Sequence, residues 1–290
     1  MKISVSTWSL NNYGFERPEQ LVDFAAENGI EALDLTLDDY ERYFPWRDKS
    51  VAEVEKHFSA LGKYAAGKGV EIFQTHAPYA LFPDYIGEKF LETTRKARFA
   101  ILRSQARATR AAGAGYCVCH PLVFPLYGKR DLWKEELDYN LGFFARTDDL
   151  LETLNVTICL ENIFDWDKGE IRKVFVSEIL GLNEYLSRLD ERRYGACLDT
   201  GHLHLFGGNV CDAAETLGKR LKVLHLHDND GVKDRHVLPL MGTVDWRGFK
   251  ATLQKIGYAG TLNLELKPLP YTAATHRFWL YAADLMRKTD

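Results

Sequence analysis

The chain has 290 residues, 46% of them hydrophobic, enough to bury a large core in one barrel-sized domain. A formal net charge of −4 gives no overall field toward phosphate backbones or anionic lipid, which argues against nucleic acid and membrane surfaces as partners. Five cysteines with no C-x-x-C spacing read as reduced core residues, and the opening MKISVSTW enters a strand without a leader-like apolar segment; no apolar run has membrane-spanning length, so the expected location is cytoplasmic.

In chain order, ISVSTW reads as a strand, followed by a helix over 18–28 opened by Pro18, then the strand EALDL. The helix over 49–67 carries Val51, Val54, Phe58, Leu61 and Ala65 on one face and ends at Gly67 and Gly69. Strand VEIFQTH, helix 87–112, strand GYCVCH, helix 133–153 and strand VTICLEN follow. The remainder reads helix 178–190, strand GACLDT, helix 211–220, strand KVLHLHD, helix 246–256, strand TLNLEL and helix 272–287. Eight alternations of strand and helix predict an α/β protein with a single-domain (β/α)₈ TIM barrel over residues 1–290. The competing open doubly wound sheet would call for a G-x-G-x-x-G or a P-loop, and neither is present.

Residues 193–246 concentrate Asp199, His202, His204, His225, His227, Asp228, Asp230, Asp234 and His236. Imidazole nitrogens and carboxylate oxygens suit divalent metals, and a polar residue at the carboxyl end of a buried strand lies where barrels build their sites. From the third strand onward, the last polar residues are His76, His120, Glu161, Asp199, His225 and Glu265. Any one alone is more simply a hydrogen-bonded histidine or a solvated acid. Six at equivalent positions converge on one barrel axis, where a cation would keep them from repelling or going unsatisfied.

The runs LEN at 160–162, LDTGH at 198–202, HLHDNDG at 225–231 with DRHVLPLMG after it, and LEL at 264–266 resemble the xylose-isomerase-like barrels. That superfamily includes sugar and sugar-phosphate isomerases, ketose 3-epimerases, inositol-catabolism enzymes and the endonuclease IV class. The resemblance implies one divalent ion (Mn, Co, Mg, Fe or Zn) held by Glu161, Asp199, His225 and Glu265. His227 shares the strand parity of His225 and is the rival ligand; the family pattern of a histidine three residues before an acid, here Asp228, favours His225. The resemblance also implies that Glu161 and Glu265 are catalytic, moving a proton to and from a metal-stabilised enediolate. The plainer alternative for each glutamate is that it only ligates.

Substrate contacts are expected from His76, His120, His202, His227 and His236, with Trp8 and Trp166 as the best candidates for stacking on a sugar. Tyr79, Phe82, Phe124 and Phe206 are further wall candidates, against the plainer reading of loop packing. His202 has a competing role as cap of the next helix. The alternative endonuclease-like reading, metal-dependent phosphodiester hydrolysis at abasic DNA, takes His76, His120, His202, Asp234 and His236 as additional metal ligands in a three-zinc cluster. A third reading is a barrel that binds metal and sugar without turnover. Arg103, Arg107 and Arg110 share a face of an outer helix, a solvated or subunit-contact surface compatible with a homo-oligomer rather than a grip on DNA at the mouth. The expected partner is a small-molecule carbohydrate, its identity set by loops 77–90, 121–132 and 162–175, where Lys129, Arg130, Lys168 and Arg172 lie.

Overall fold

In the computed structural model, which describes residues 1–77, 88–121, 133–167, 169–270 and 272–288, each of the eight apolar runs forms a strand. These are β1 (Ile3–Ser6), β2 (Ala32–Thr36), β3 (Glu71–His76), β4 (Tyr116–Cys119) and β5 (Thr157–Glu161), then β8 (Tyr194–Asp199), β9 (Leu221–His225) and β10 (Leu262–Leu264). All pair in parallel, in the order β10-β1-β2-β3-β4-β5-β8-β9. The ring closes where Leu226 N donates to Asn263 O (2.8 Å) and Glu265 N donates to Leu226 O (3.1 Å). β6 (Asp165–Asp167) and β7 (Glu170–Arg172) make a separate antiparallel hairpin above the barrel mouth, too short to leave a pattern in the sequence.

The helices are α1 (Glu19–Glu27), α2 (Leu37–Tyr40), α3 (Val51–Gly67), α4 (Glu88–Ala111), α5 (Trp133–Phe144), α6 (Asp148–Leu154), α7 (Ile179–Ser187), α8 (Thr200–His204), α9 (Val210–Leu217), α10 (Phe249–Lys255) and α11 (Ala273–Lys288). Helix α3 begins at a capping box, with Ser50 and Glu53 satisfying each other's backbone N–H, and buries Val54, Phe58, Leu61 and Ala65; Val51 is exposed. Arg107 on α4 pairs with Glu55 on α3 at 3.2 Å, so one of the three outer arginines is tied to its own barrel.

Two expected elements differ. The helix over 133–153 is broken into α5 and α6 by a 3₁₀ turn at Ala145–Thr147, because Thr147 Oγ1 (2.7 Å) and Tyr194 OH (2.6 Å) both donate to Phe144 O. The first strand stops at Ser6, and Thr7–Tyr13 form a 3₁₀ helix carrying Trp8. There, side-chain bonds replace the strand ladder: Thr36 N donates to Thr7 Oγ1 (2.9 Å) and Trp8 N to Thr36 Oγ1 (3.2 Å).

Two strands slip register. In β2, Leu33 faces Ile72 but Asp34 faces Gln74, so one residue of β3 is skipped. In β8 the slip lies between Ala196 and Cys197. Such irregularities re-aim side chains, and both lie on strands that deliver polar residues to the interior. Among the described residues no helix is long and apolar enough to cross a membrane, and all five cysteines are free.

Candidate functional site

Strand parity builds the site in layers. Val118, Cys159, Cys197 and Val223 form a buried apolar cluster inside the barrel, and two residues further along each strand come His120, Glu161, Asp199 and His225. Water is excluded below, so the polar atoms of the upper layer must satisfy one another or a ligand.

Glu161, Asp199, His225 and Glu265 each offer a ligand atom, and these atoms lie within 4.8 Å of one another. His225 Nδ1 is 3.2 Å from Glu161 Oε2 and 3.4 Å from Glu265 Oε2. Both His225 Nδ1 and Glu161 Oε2 are buried without a hydrogen bond. Two such atoms side by side suit a divalent cation, and three carboxylates with one imidazole fit Mn, Co, Mg, Fe or Zn. His76 and His120 join from the other side, with Nε2 atoms 3.4 and 3.2 Å from Glu161 Oε2. Burial opposes charge on Glu161, but the adjoining imidazoles of His225 and His120 outweigh it and hold this carboxyl well below the usual carboxylate range. Burial likewise opposes charge on His225, and the surrounding acids nevertheless raise it well above an ordinary imidazole.

His227 falls in a second group, with His202, Asp234 and His236. Its Nε2 lies 2.9 Å from Asp199 Oδ1, and its ring stacks on His236 with centroids 3.7 Å apart. His202 Nδ1 bonds Asn162 O (3.1 Å) and His236 Nδ1 bonds Glu265 O (2.9 Å), so each presents Nε2 toward Asp234, at 3.8 and 3.0 Å. Burial opposes charge on His202, but Asp199, Glu161 and Asp234 raise it to about 10.

The capping role weighed for His202 belongs to Asp199, whose Oδ1 accepts from His202 N (2.7 Å) at the start of α8. Asn162, the third residue of LEN, ties β5 to β8: its Nδ2 donates to Asp199 O (2.9 Å) and its Oδ1 accepts from Asp199 N (2.8 Å). Asp228 is a clamp for the loop after β9, accepting from the N–H groups of Asn229, Leu240 and Val244 and from Trp246 Nε1. Asp230 accepts from Val232 N and Lys233 N in an exposed turn, and His204 bonds Thr243; neither belongs to either ligand group. Sequence reasoning passed over Asp34, a fully buried acid in EALDL, although a lone acid inside an otherwise apolar strand was the available signal.

A cavity of about 320 Å³ opens above the ligand layer, large enough for a monosaccharide. Glu161, Glu265, His76, His120, His202, Asp234 and His236 line it, with Trp8, Ile163, Phe164 and Trp166 as an apolar wall and Thr36, Asp38 and Asp39 on the rim. Trp8 meets His236 edge-on (5.0 Å), and Phe164 does the same to His202 (5.0 Å). Phe206 is not in the lining and instead lies under Lys173. Asp38 pairs with Arg47, and burial raises the Asp39 carboxyl above its ordinary value. Tyr79, Phe82, Phe124, Lys129, Arg130 and Lys168 lie outside the described residues.

Known proteins share this architecture. y4fM, an uncharacterized protein of Sinorhizobium fredii, is 31% identical over 178 residues, 59% of this chain and 53% of its own length, so the chain spans about half of that relative. A probable endonuclease 4 of Mycoplasmopsis pulmonis is 28% identical over 245 residues, covering 79% of this chain and 76% of that protein. The inosose isomerase of Bacillus velezensis is 20% identical over 256 residues, covering 86% and 82%. Among solved structures, a D-tagatose 3-epimerase-like protein superposes with TM-score 0.76 at 22% identity, covering 100% of this chain and 97% of that one. The zinc-bound IOLI protein gives TM-score 0.74 at 17% identity, covering 99% and 96%. With the family model matching residues 22–283, the chain belongs to the xylose isomerase-like TIM barrel family.

Proposed function

We propose that this protein is a divalent-metal-dependent isomerase or epimerase of a sugar, sugar phosphate or related ketose. The observation that carries the reading is that Glu161 and Glu265 both approach His225 Nδ1 and both line the sugar-sized cavity. Glu161, Asp199, His225 and Glu265 would hold the cation, which when bound acts as a Lewis acid and acidifies the C–H between a carbonyl and its neighbouring hydroxyl. One glutamate takes that proton and the other returns one. Return to the opposite face of the same carbon is epimerisation; return to the neighbouring carbon is aldose–ketose isomerisation. His76, His120, His202 and His236 orient substrate hydroxyls, and Trp8 and Trp166 cover an apolar sugar face. The names of the inosose isomerase and epimerase-like relatives agree with this class of chemistry. The test is solvent deuterium exchange into a ketose panel with each metal in turn and a chelated control. Metal-dependent exchange supports the reading, and no exchange from any ketose with a loaded protein overturns it in favour of a binding barrel or a hydrolase.

A second reading, metal-dependent phosphodiester hydrolysis at abasic DNA, is favoured by one observation. Fixing His202 and His236 through their Nδ1 atoms converges two Nε2 atoms on Asp234, so a second ligand group stands beside the first, with His76 and His120 on Glu161 as the start of a third. Weighing against it is the formal net charge of −4, which gives no overall field toward a phosphate backbone. Salt-sensitive cleavage of an abasic oligonucleotide, with about three zinc ions per chain, would establish the second reading over the first.

A further inference from the structure

We propose that Asp34 is a positioning residue that keeps the His225 proton on Nε2 when a cation is bound, so that Nδ1, beside Glu161 and Glu265, is the nitrogen left to ligate. The inference rests on the metal centre of the proposed function and is independent of which sugar is turned over.

His225 spans two environments. Its Nδ1 faces the two glutamates, while its Nε2 points into the barrel and lies 3.2 Å from Asp34 Oδ2. Asp34 is completely buried on β2, and the register slip between Leu33 and Asp34 sets it opposite Gln74. Gln74 Nε2 (3.1 Å) and Asn263 Nδ2 (3.3 Å) donate to the same Oδ2, so amides from β3 and β10 aim the carboxylate at the imidazole. Gln74, Asn263 and His225 are also completely buried, so no water competes for these bonds. A polar knot this deep carries a desolvation cost, which points to a task beyond filling the barrel.

The task follows from the acceptor inventory. An imidazole ligand must carry its proton on the nitrogen turned away from the cation, and a carboxylate on that nitrogen fixes the tautomer and raises the basicity of the other. Gln74 Nε2 also lies 3.3 Å from His225 Nε2 and competes, because an amide donating there would force the proton onto Nδ1, toward the two glutamates. The charge-assisted bond to Asp34 is about twice as strong as a neutral one, and Gln74 needs only one of its two hydrogens for Asp34. The balance therefore favours Nε2–H.

Zinc binding by the intact protein, chelator-stripped and titrated with zinc alone, tests this beside imidazole ¹⁵N spectra of the loaded protein. The expected results are a His225 that is protonated on Nε2 and weakening of zinc binding by about 10–100-fold in Asp34→Asn, with the melting transition retained. A loaded wild type in which His225 carries its proton on Nδ1 overturns the inference, and this measurement needs no variant to fold. Unchanged zinc affinity in a folded Asp34→Asn also overturns it while leaving the metal centre standing. A wild type that binds no zinc overturns the metal centre, and this inference with it.

Discussion

Glu265 stands just past the end of β10, lines the cavity and reaches His225, and a single substitution separates the two roles proposed for its carboxylate, ligand and proton carrier. Glu265→Gln keeps an oxygen for a cation and removes the proton acceptor; deuterium exchange into the ketose substrate should fall by at least about 10²–10⁴-fold. Unchanged exchange would discard the two-glutamate mechanism. A second comparison concerns the paired histidines. Because His225 groups with Glu161, Asp199 and Glu265 while His227 bonds Asp199 from the neighbouring group, His225→Ala should lower metal content at one equivalent more than His227→Ala. The reverse ranking, by elemental analysis, would move the principal ligand to His227. At this scale the sequence was legible wherever a polar residue ends a strand, because a barrel brings such positions together whatever their separation along the chain. For Asp34 the acid inside an apolar strand was visible but its task was not, because its partners Gln74, His225 and Asn263 come from three other strands and share no spacing with it.

The elements show why some local patterns translate and others do not. Continuous runs such as KVLH and GACLD are buried on both sides and became strands. The break between α5 and α6 at Ala-Arg-Thr contains neither Gly nor Pro, and one of the two hydroxyls behind it, that of Tyr194 on β8, is remote in sequence. The register slips are invisible for a similar reason, since one skipped residue leaves composition and alternation nearly intact. Gly201, the glycine of LDTGH, illustrates an element-level constraint: a Cβ there would lie 1.9 Å from His227 Cε1, so α8 can sit against the segment that follows β9 only without a side chain. Gly201→Ala should cost about 1–3 kcal/mol by overpacking and lower the melting temperature. Gly67→Ala at the end of α3, where a Cβ meets nothing within 4 Å, is the control and should leave the melting temperature unchanged or higher. Equal melting temperatures for the two variants would contradict the packing assigned to His227.

For the whole molecule, the concentration of acids and imidazoles at the mouth sets how stability responds to pH. His202 is raised from 6.5 to about 10, so its contribution is complete below 6.5 and is lost as pH rises through 10. Glu161 and Asp199 are depressed below 4.5 and 3.8, so theirs is complete above those values and is lost as pH falls through the lowered ones. Metal-free protein should therefore be most stable between about pH 4.5 and 6.5, with His120, which burial lowers from 6.5, working in the opposite sense as pH falls. Thermal melts with chelator across pH 5–9 check this, and greater stability at pH 9 than at pH 6 would contradict it. A bound cation must displace imidazole protons, so metal affinity should rise with pH by up to about tenfold per unit for each proton released, and the stability optimum should move to higher pH. Glu161 adds a consequence of its own, since it faces His76 and His120 through Oε2 and His202 through Oε1 while belonging to the Asp199–His225–Glu265 group. Any two ligands that both draw on this one carboxylate are thermodynamically linked: each changes the affinity of the other by the same factor, and occupancy of the mouth becomes cooperative or competitive as a unit instead of a sum of separate sites.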